Sequence, residues 1–294
     1  FTNYLTPTSL YYVPANGKKI NKVKSLPHYF NSKDLLVEQY EVASKDGAKI
    51  PYFVVRSKKA KLNGALPTLL YGYGGFEIAM QPGYSAITGV AWLEKGGVYA
   101  VANIRGGGEF GPKWHQAALK ENRQRAYDDF AAVAEDLIRR KITSPRHLGI
   151  EGGSNGGLLV GVMLTQRPEL FNAVICSVPL LDMKRYNKLL AGASWMGEYG
   201  NPDLAEEWAF ISKYSPYQNI AAGKKYPRVL FTTTTRDDRV HPGHARKMAA
   251  KMEAQGHPCY YFENTEGGHG SGVTNEQRAN MLTLEHVYLL KMLR

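Results

Sequence analysis

The sequence predicts a large α/β domain with a mostly parallel central sheet and helices on both faces. Three observations carry that expectation. Short runs rich in β formers alternate with segments of helical apolar spacing along most of the chain. Most of the β runs end in glycine or polar residues, as strands do when they feed loops at one rim of a parallel sheet. The 294 residues, 44 % of them hydrophobic, suffice for a substantial core.

Taken in order, residues 1 to about 30 read as short β pieces joined by turns such as "ANGK", with no helix. "YEVASKDGAKIPYFVV" follows, two β runs around Asp46-Gly47, a hairpin expected to add antiparallel strands at one sheet edge. The strand candidates are then "TLLYGYGG", "GGVYAVANIRG", "LGIEGGS", "NAVICSVPL", "RVLFTTTTRDD" and "CYYFENTEGG". Between most of them lie helical segments: "RAYDDFAAVAEDLIRRK", "GLLVGVMLTQR" and "HARKMAAKMEAQ". "NEQRANMLTLEHVYLLKML" closes the chain with helical spacing. No internal repeat or low-complexity tract interrupts the pattern.

No unbroken apolar run reaches membrane-spanning length, so no membrane partner is expected and a soluble, cytoplasmic or periplasmic protein is. The net charge is +11, but the basic residues are scattered through "RSKKAKLNG", "IRRK" and "GKKYPR" without a nucleic-acid motif. They read as a solvated basic face, and no nucleic-acid partner is expected. Cys176 and Cys259 lie in apolar runs and read as small core residues, not a disulfide framework. The chain opens on Phe1 without a charged-then-apolar leader, a start expected from processing or truncation.

The chemistry concentrates in "GIEGGSNGG". Ser154 follows a predicted strand and precedes a predicted helix, and Gly152, Ser154 and Gly156 fit G-x-S-x-G, the nucleophile elbow. Small neighbours are needed because side chains two positions away would collide across so sharp a turn. The helix start behind the serine offers N–H groups to a developing anion. A phosphate cradle is the alternative, but neither the P-loop spacing nor the dinucleotide spacing is present.

An elbow demands an acid and then a histidine later in the chain. Asp237 and Asp238 both follow the β run "RVLFTTTT". Five histidines lie beyond them. His286 sits inside the terminal helix pattern, and His257 reads as a turn residue before a strand. His269, in "ENTEGGHGSG", follows the last predicted strand in a loop of small residues and is the candidate base. His241 and His244 invite a metal reading, but Pro242 and Gly243 break helix geometry and no H-E-x-x-H occurs, so no metal and no cofactor is expected. His241 reads as lining the cleft or packing beside it.

With these residues placed, the chain after residue 40 resembles the prolyl oligopeptidase family of serine peptidases. The likeness is carried by "LLYGYGGF", "AVANIRGGGEFG", "DDFAAVAEDLI", "GGSNGGLLV", "GASWMGEYG", "KYSPYQNI" and "DDRV". It implies an α/β-hydrolase domain over residues 41–294, preceded at 1–40 by the remnant of a last β-propeller blade and its linker. The partners it implies are short proline-containing peptides and, in a full-length chain, a β-propeller domain. The activity it implies is serine-type endopeptidase cleavage after proline.

The resemblance also implies site roles. Ser154 is the nucleophile, Asp237 rather than Asp238 the acid, and His269 the base. Tyr73 and the Asn155 N–H form the oxyanion hole. Trp195 stacks on a proline ring, Phe76, Tyr199 and Val240 wall the pocket, and Arg239 holds a substrate carbonyl. "RGGGEFG" around Arg105 reads as a structural loop. Arg239 could instead pair with Asp238, and Glu198 beside Trp195 keeps open a preference for basic residues. An oligopeptidase of different specificity, an esterase on the same fold, or an inactive catalytic-domain fragment are the alternatives. "RVHPGH" departs from the apolar sequence often found after "DDRV" in the family, which leaves the subsite preference open.

Overall fold

The structure, a computed structural model, describes residues 1–270 and 272–294. An antiparallel pair, β1 (Ser9–Tyr12) and β2 (Asn21–Ser25), opens the chain as a separate small sheet. The large sheet comprises β3 (Leu35–Ala43), β4 (Lys49–Ser57), β5 (Thr68–Gly72), β6 (Val98–Ala102), β7 (Leu148–Gly153), β8 (Ala173–Ser177), β9 (Val229–Thr234) and β10 (Tyr260–Asn264). Its order is β10-β9-β8-β7-β5-β6-β4-β3. From β6 to β10 every pairing is parallel, whereas β4 runs antiparallel to both β6 and β3. The hairpin expected around Asp46-Gly47 thus forms the antiparallel edge. Because β3 starts at Leu35, the first strand of the large sheet straddles the boundary expected between residues 40 and 41.

Helices cover both faces. On one face α1 (Gln124–Arg139) and α2 (Asn155–Gln166) bury Tyr127, Phe130, Val133, Leu158 and Val162 against Leu70, Ile150 and Val174 of the sheet. Alternation along each strand sends Leu69, Val101, Ala173 and Ile175 to the opposite face. There they meet Trp92 and the C-terminal helix's Tyr288, Leu289 and Leu293. Helix α2 is buried from Asn155 to Thr165, as its apolar composition all round requires of a helix between layers. α3 (Gly243–Ala254) and α4 (Asn275–Leu293) complete the set of long helices. Thr274 and Gln277 close a capping box at the start of α4, a device worth about 1 kcal/mol.

Between β8 and β9 the chain makes several short helical turns, among them Leu190–Trp195, Met196–Tyr199 and Ala205–Ile211. None was predicted, because segments this short do not accumulate a period. The "RGGGEFG" loop is structural: the buried Arg105 guanidinium makes paired bonds to Asp129 on α1 and to Asp46 in the hairpin turn. Cys176 is buried on β8, but Cys259 is only half-buried just before β10; both are free.

The turn from β7 into α2 leaves no room for a side chain at its start. A Cβ on Gly152 would lie 2.2 Å from the Gly156 carbonyl oxygen, a backbone atom that cannot swing away. Gly152→Ala is therefore expected to lower the unfolding free energy by about 1–3 kcal/mol in urea titrations. Gly197→Ala, where a Cβ meets nothing within 4 Å, is the control and is expected to be neutral or slightly stabilising.

Candidate active site

The predicted site residues come from loops at the carboxyl ends of the strands, the rim where open parallel sheets place ligands. Ser154 lies between β7 and α2 with φ 59° and ψ −116°, a left-handed conformation that costs a non-glycine residue about 1–3 kcal/mol. Its N–H donates to the Ser177 carbonyl at 2.9 Å, and its carbonyl accepts from Leu158 at 3.1 Å. The turn is thus clamped from β8 and from α2 while the side chain is only half-buried. Asn155 is the first residue of α2, so its N–H has no acceptor within the helix.

Tyr73 follows β5. Burial raises its phenol above the ordinary value, opposed by the nearby Ser154 side chain and by the Arg239 charge. The hydroxyl therefore remains a neutral donor at pH 7, within reach of Ser154.

The two aspartates after β9 behave differently. The Asp237 side chain is fully buried. Its Oδ1 accepts the N–H groups of Arg239 and Val240, each at 2.9 Å, and its Oδ2 accepts from His269 Nδ1 at 2.8 Å. That bond puts the imidazole proton on Nδ1 and leaves Nε2 as the acceptor. Asp238 is exposed, and among the described residues its side chain accepts the His269 backbone N–H alone, at 3.4 Å. Thr234 Oγ1 donates to the Gly268 carbonyl at 2.9 Å, tying the histidine loop to β9. Ser271 of that loop lies outside the described residues. Among the described residues no hydrogen bond joins Ser154 to His269; the histidine meets its carboxylate directly, and the serine stands across the same rim.

Trp195, Tyr199 and Val240 are buried in one apolar cluster, with Phe76 packed against it. Phe76 and Tyr199 make an edge-to-face pair with centroids 5.7 Å apart. Arg239 is exposed and makes no ion pair with Asp238. Glu198, left open as a recognition element, is only 5 % exposed and already engaged. Its carboxylate meets the Arg123 guanidinium at 2.8 Å, His115 Nε2 at 2.7 Å and the Phe76 N–H at 3.0 Å.

Sequence reasoning missed Arg123. It sits in "KENRQRAYDDF", among charged residues just before the predicted helix, yet it is 1 % exposed. Nothing in its local spacing distinguishes it from its exposed neighbours.

The other histidines have structural partners. His244 is fully buried, and burial pushes its imidazole down to about 4. Its Nδ1 accepts the N–H groups of Leu181 and Asp182. His241 Nδ1 accepts from the Gly243 N–H at 3.0 Å, and His286 bonds the Leu282 carbonyl inside α4. Among the described residues no cluster of three or more His, Cys, Asp or Glu side chains is arranged to hold a metal ion. No helix is long and apolar enough to cross a membrane, again among the described residues.

Comparison with known proteins gives the family. The prolyl oligopeptidase family model matches residues 84–294. The chain belongs to the prolyl oligopeptidase family. It is 55 % identical over 290 residues to an uncharacterised peptidase of Sinorhizobium fredii, covering 99 % of this chain and 40 % of that one. It is 41 % identical over 281 residues to a prolyl endopeptidase of Elizabethkingia miricola, covering 94 % of this chain and 40 % of the relative. The solved structure of a post-proline cleaving enzyme from Rickettsia typhi superposes with a TM-score of 0.92 at 44 % identity, over 100 % of this chain and 43 % of that one. The chain thus spans about two-fifths of the length of these relatives. Its sheet order and the superposition together establish the prolyl oligopeptidase catalytic-domain architecture, an α/β-hydrolase fold.

One feature of this prolyl oligopeptidase domain bears on stability. Glu151, three residues before Ser154 on β7, is pushed up to about 8 by burial and by Glu285 of α4. Glu285 is raised as well, chiefly by burial, while Ser177 and Thr232 donate to it. A carboxyl whose folded value lies above its unfolded value of 4.5 binds more protons when folded, so stability falls as pH rises between about 4.5 and 8. Glu151→Gln is expected to flatten that decline, read as the slope of unfolding free energy against pH from 5 to 8; an unchanged slope would show that Glu151 does not titrate there.

Proposed function

We propose that the chain from β3 onward is the catalytic domain of a serine endopeptidase that hydrolyses short peptides on the carboxyl side of proline. The observation that carries this reading is the Asp237–His269 hydrogen bond at the rim where the strained Ser154 turn and the Tyr73 hydroxyl also lie. In this reading the residues before β3 are the end of a β-propeller that covers the site in a full-length chain, and β3, which spans the 40/41 boundary expected from the sequence, belongs to the catalytic sheet. The separate β1–β2 pair and the length of the relatives support that division.

His269 Nε2 takes the Ser154 proton as Oγ bonds to the carbonyl carbon. Asp237 keeps the other imidazole proton on Nδ1 and stabilises the cation that forms. The negative charge moves to the carbonyl oxygen, where Tyr73 O–H and Asn155 N–H donate to it. Collapse of this intermediate breaks the C–N bond, and the leaving amine takes the proton from Nε2. Water then attacks the acyl-enzyme with His269 again as base; the acid product leaves and Ser154 regains its proton.

The specificity argument rests on charge. In this reading Trp195 and Phe76 meet the pyrrolidine ring, with Tyr199 and Val240 buried in the same apolar cluster behind them. Glu198 cannot receive a substrate lysine or arginine without giving up Arg123, so a basic residue would enter an uncompensated apolar site. In this reading Arg239, exposed and not paired with Asp238, donates to a substrate carbonyl.

Ser154→Ala is expected to abolish labelling by a fluorophosphonate probe; stoichiometric labelling of that variant would refute the nucleophile assignment. Tyr73→Phe is expected to lower kcat by about 10²–10³ with little change in KM, because the oxyanion contact strengthens only as charge develops. A panel of Gly-Pro, Gly-Ala and Arg anilides with a short acyl ester reads the specificity. Turnover highest on Gly-Pro supports this reading, and preference for the Arg anilide or the ester overturns it.

A further inference from the structure

The mechanism above gives the buried Arg123 no role. Arg123 stands just before α1, and its guanidinium divides between two side-chain acceptors, with the Ala118 carbonyl a longer third contact at 3.5 Å. Nη1 donates to Glu198 Oε1 at 2.8 Å and Nη2 donates to Asn155 Oδ1 at 2.6 Å. Each acceptor then reaches a residue of the proposed site. The Asn155 side chain donates from Nδ2 to the Tyr73 carbonyl at 2.7 Å and accepts from the Tyr199 hydroxyl at 2.7 Å. Glu198 accepts the N–H of Phe76, whose φ of 56° is left-handed and needs an external restraint. The Arg123 guanidinium also lies over the Tyr199 ring, 5.3 Å from its centroid.

We infer that Arg123 is a positioning residue that holds the oxyanion donors and the walls of the proline pocket in one register through Asn155 and Glu198. This inference rests on the reading of Tyr73 and Asn155 as oxyanion donors. The physical argument is that of a rigid fork. A planar guanidinium can satisfy two acceptors at a fixed separation, which a lysine ammonium at the end of a flexible stem cannot. One arm orients the Asn155 side chain, and with it the first turn of α2 and the Tyr73 peptide. The other holds Glu198, which fixes the Phe76 peptide and so the direction of its ring. His115 occupies the second Glu198 oxygen at 2.7 Å, so the carboxylate has no freedom to turn toward the pocket. Gly75 fits the same design: a Cβ there would lie 2.6 Å from Asn155 Nδ2, so the Tyr73–Phe76 loop can approach the amide only as glycine.

A buried ion pair that only supports the fold would change how much protein is folded, not what each folded molecule does. The test therefore counts active sites by fluorophosphonate titration and reports kinetics per titrated site. Arg123→Met is expected to lower kcat about a hundredfold on a Gly-Pro anilide, since small misplacements of catalytic donors cost that much. It is also expected to cut the preference for Gly-Pro over Gly-Ala about tenfold, the scale of a pocket contact. Arg123→Lys retains a charge beside Glu198 but not the fork, so it is expected to restore the proline preference more fully than kcat.

If Arg123→Met yields no titratable protein, the Arg123→Met, Glu198→Gln pair removes the stranded charge, and the same two losses are expected. The inference is overturned if kcat per site and the proline preference stay within about twofold of the parent in Arg123→Met or in that pair, whatever the stability. Failure of the underlying peptidase reading looks different. In that case the unmutated chain itself shows no Ser154-dependent labelling or turnover.

Discussion

The site depends on a single turn of backbone. At Ser154 the chain leaves β7, passes through a left-handed conformation and enters α2. Three conditions make that turn possible. Gly152 has no side chain to strike the Gly156 carbonyl; the Ser154 N–H is held by β8; and α2 is buried tightly enough to keep its first turn in place. The strain is local, whereas the restraint is spread over the sheet and the helix layer, which is how such a conformation persists. Its consequence is geometric: the serine side chain stands at the carboxyl rim, and the N–H behind it is left without an acceptor.

Around this turn the protein arranges buried charge with care, although its overall surface is basic. Arg105 ties the edge hairpin to α1 through Asp46 and Asp129. Asp182 gathers Lys247, Arg185 and Gln218 beneath the segment that follows β8. Asp237 spends one oxygen on two backbone N–H groups and keeps the other for His269. In each case the buried charge is fully met, and breaking one partner would strand the other in a poorly hydrated interior. Such pairs add less to stability than their number suggests, but they fix direction. Direction is what a site assembled from several distant loops needs.

Much of this was legible in the residues themselves. The strand and helix alternation, the edge hairpin and the elbow depend on local pattern, since period and glycine spacing act over a few residues. The Ser154, Asp237 and His269 candidates could be read because their order along the chain and their places after β runs are linear properties. The choice between Asp237 and Asp238 was not legible from pattern, since two adjacent carboxylates look alike until the loop's backbone decides which one turns inward. The short helices between β8 and β9 escaped because one or two turns show no period. Arg123 escaped because an arginine's burial is set by distant chain, here Asn155 and Glu198, 32 and 75 residues away.

By itself the sequence determined the fold class, the position of the sharp turn and the kinds of side chain that gather at the sheet's carboxyl rim. These follow from periodicity, from the missing Cβ of glycine and from chain order, all of them local or linear. The tertiary structure alone decided which carboxylate meets His269, that Glu198 is committed to Arg123 instead of to an incoming cation, and that Asn155 links the Tyr73 loop to α2. Those outcomes turn on contacts between residues far apart in the chain, whose distances and burial exist only once the layers have packed.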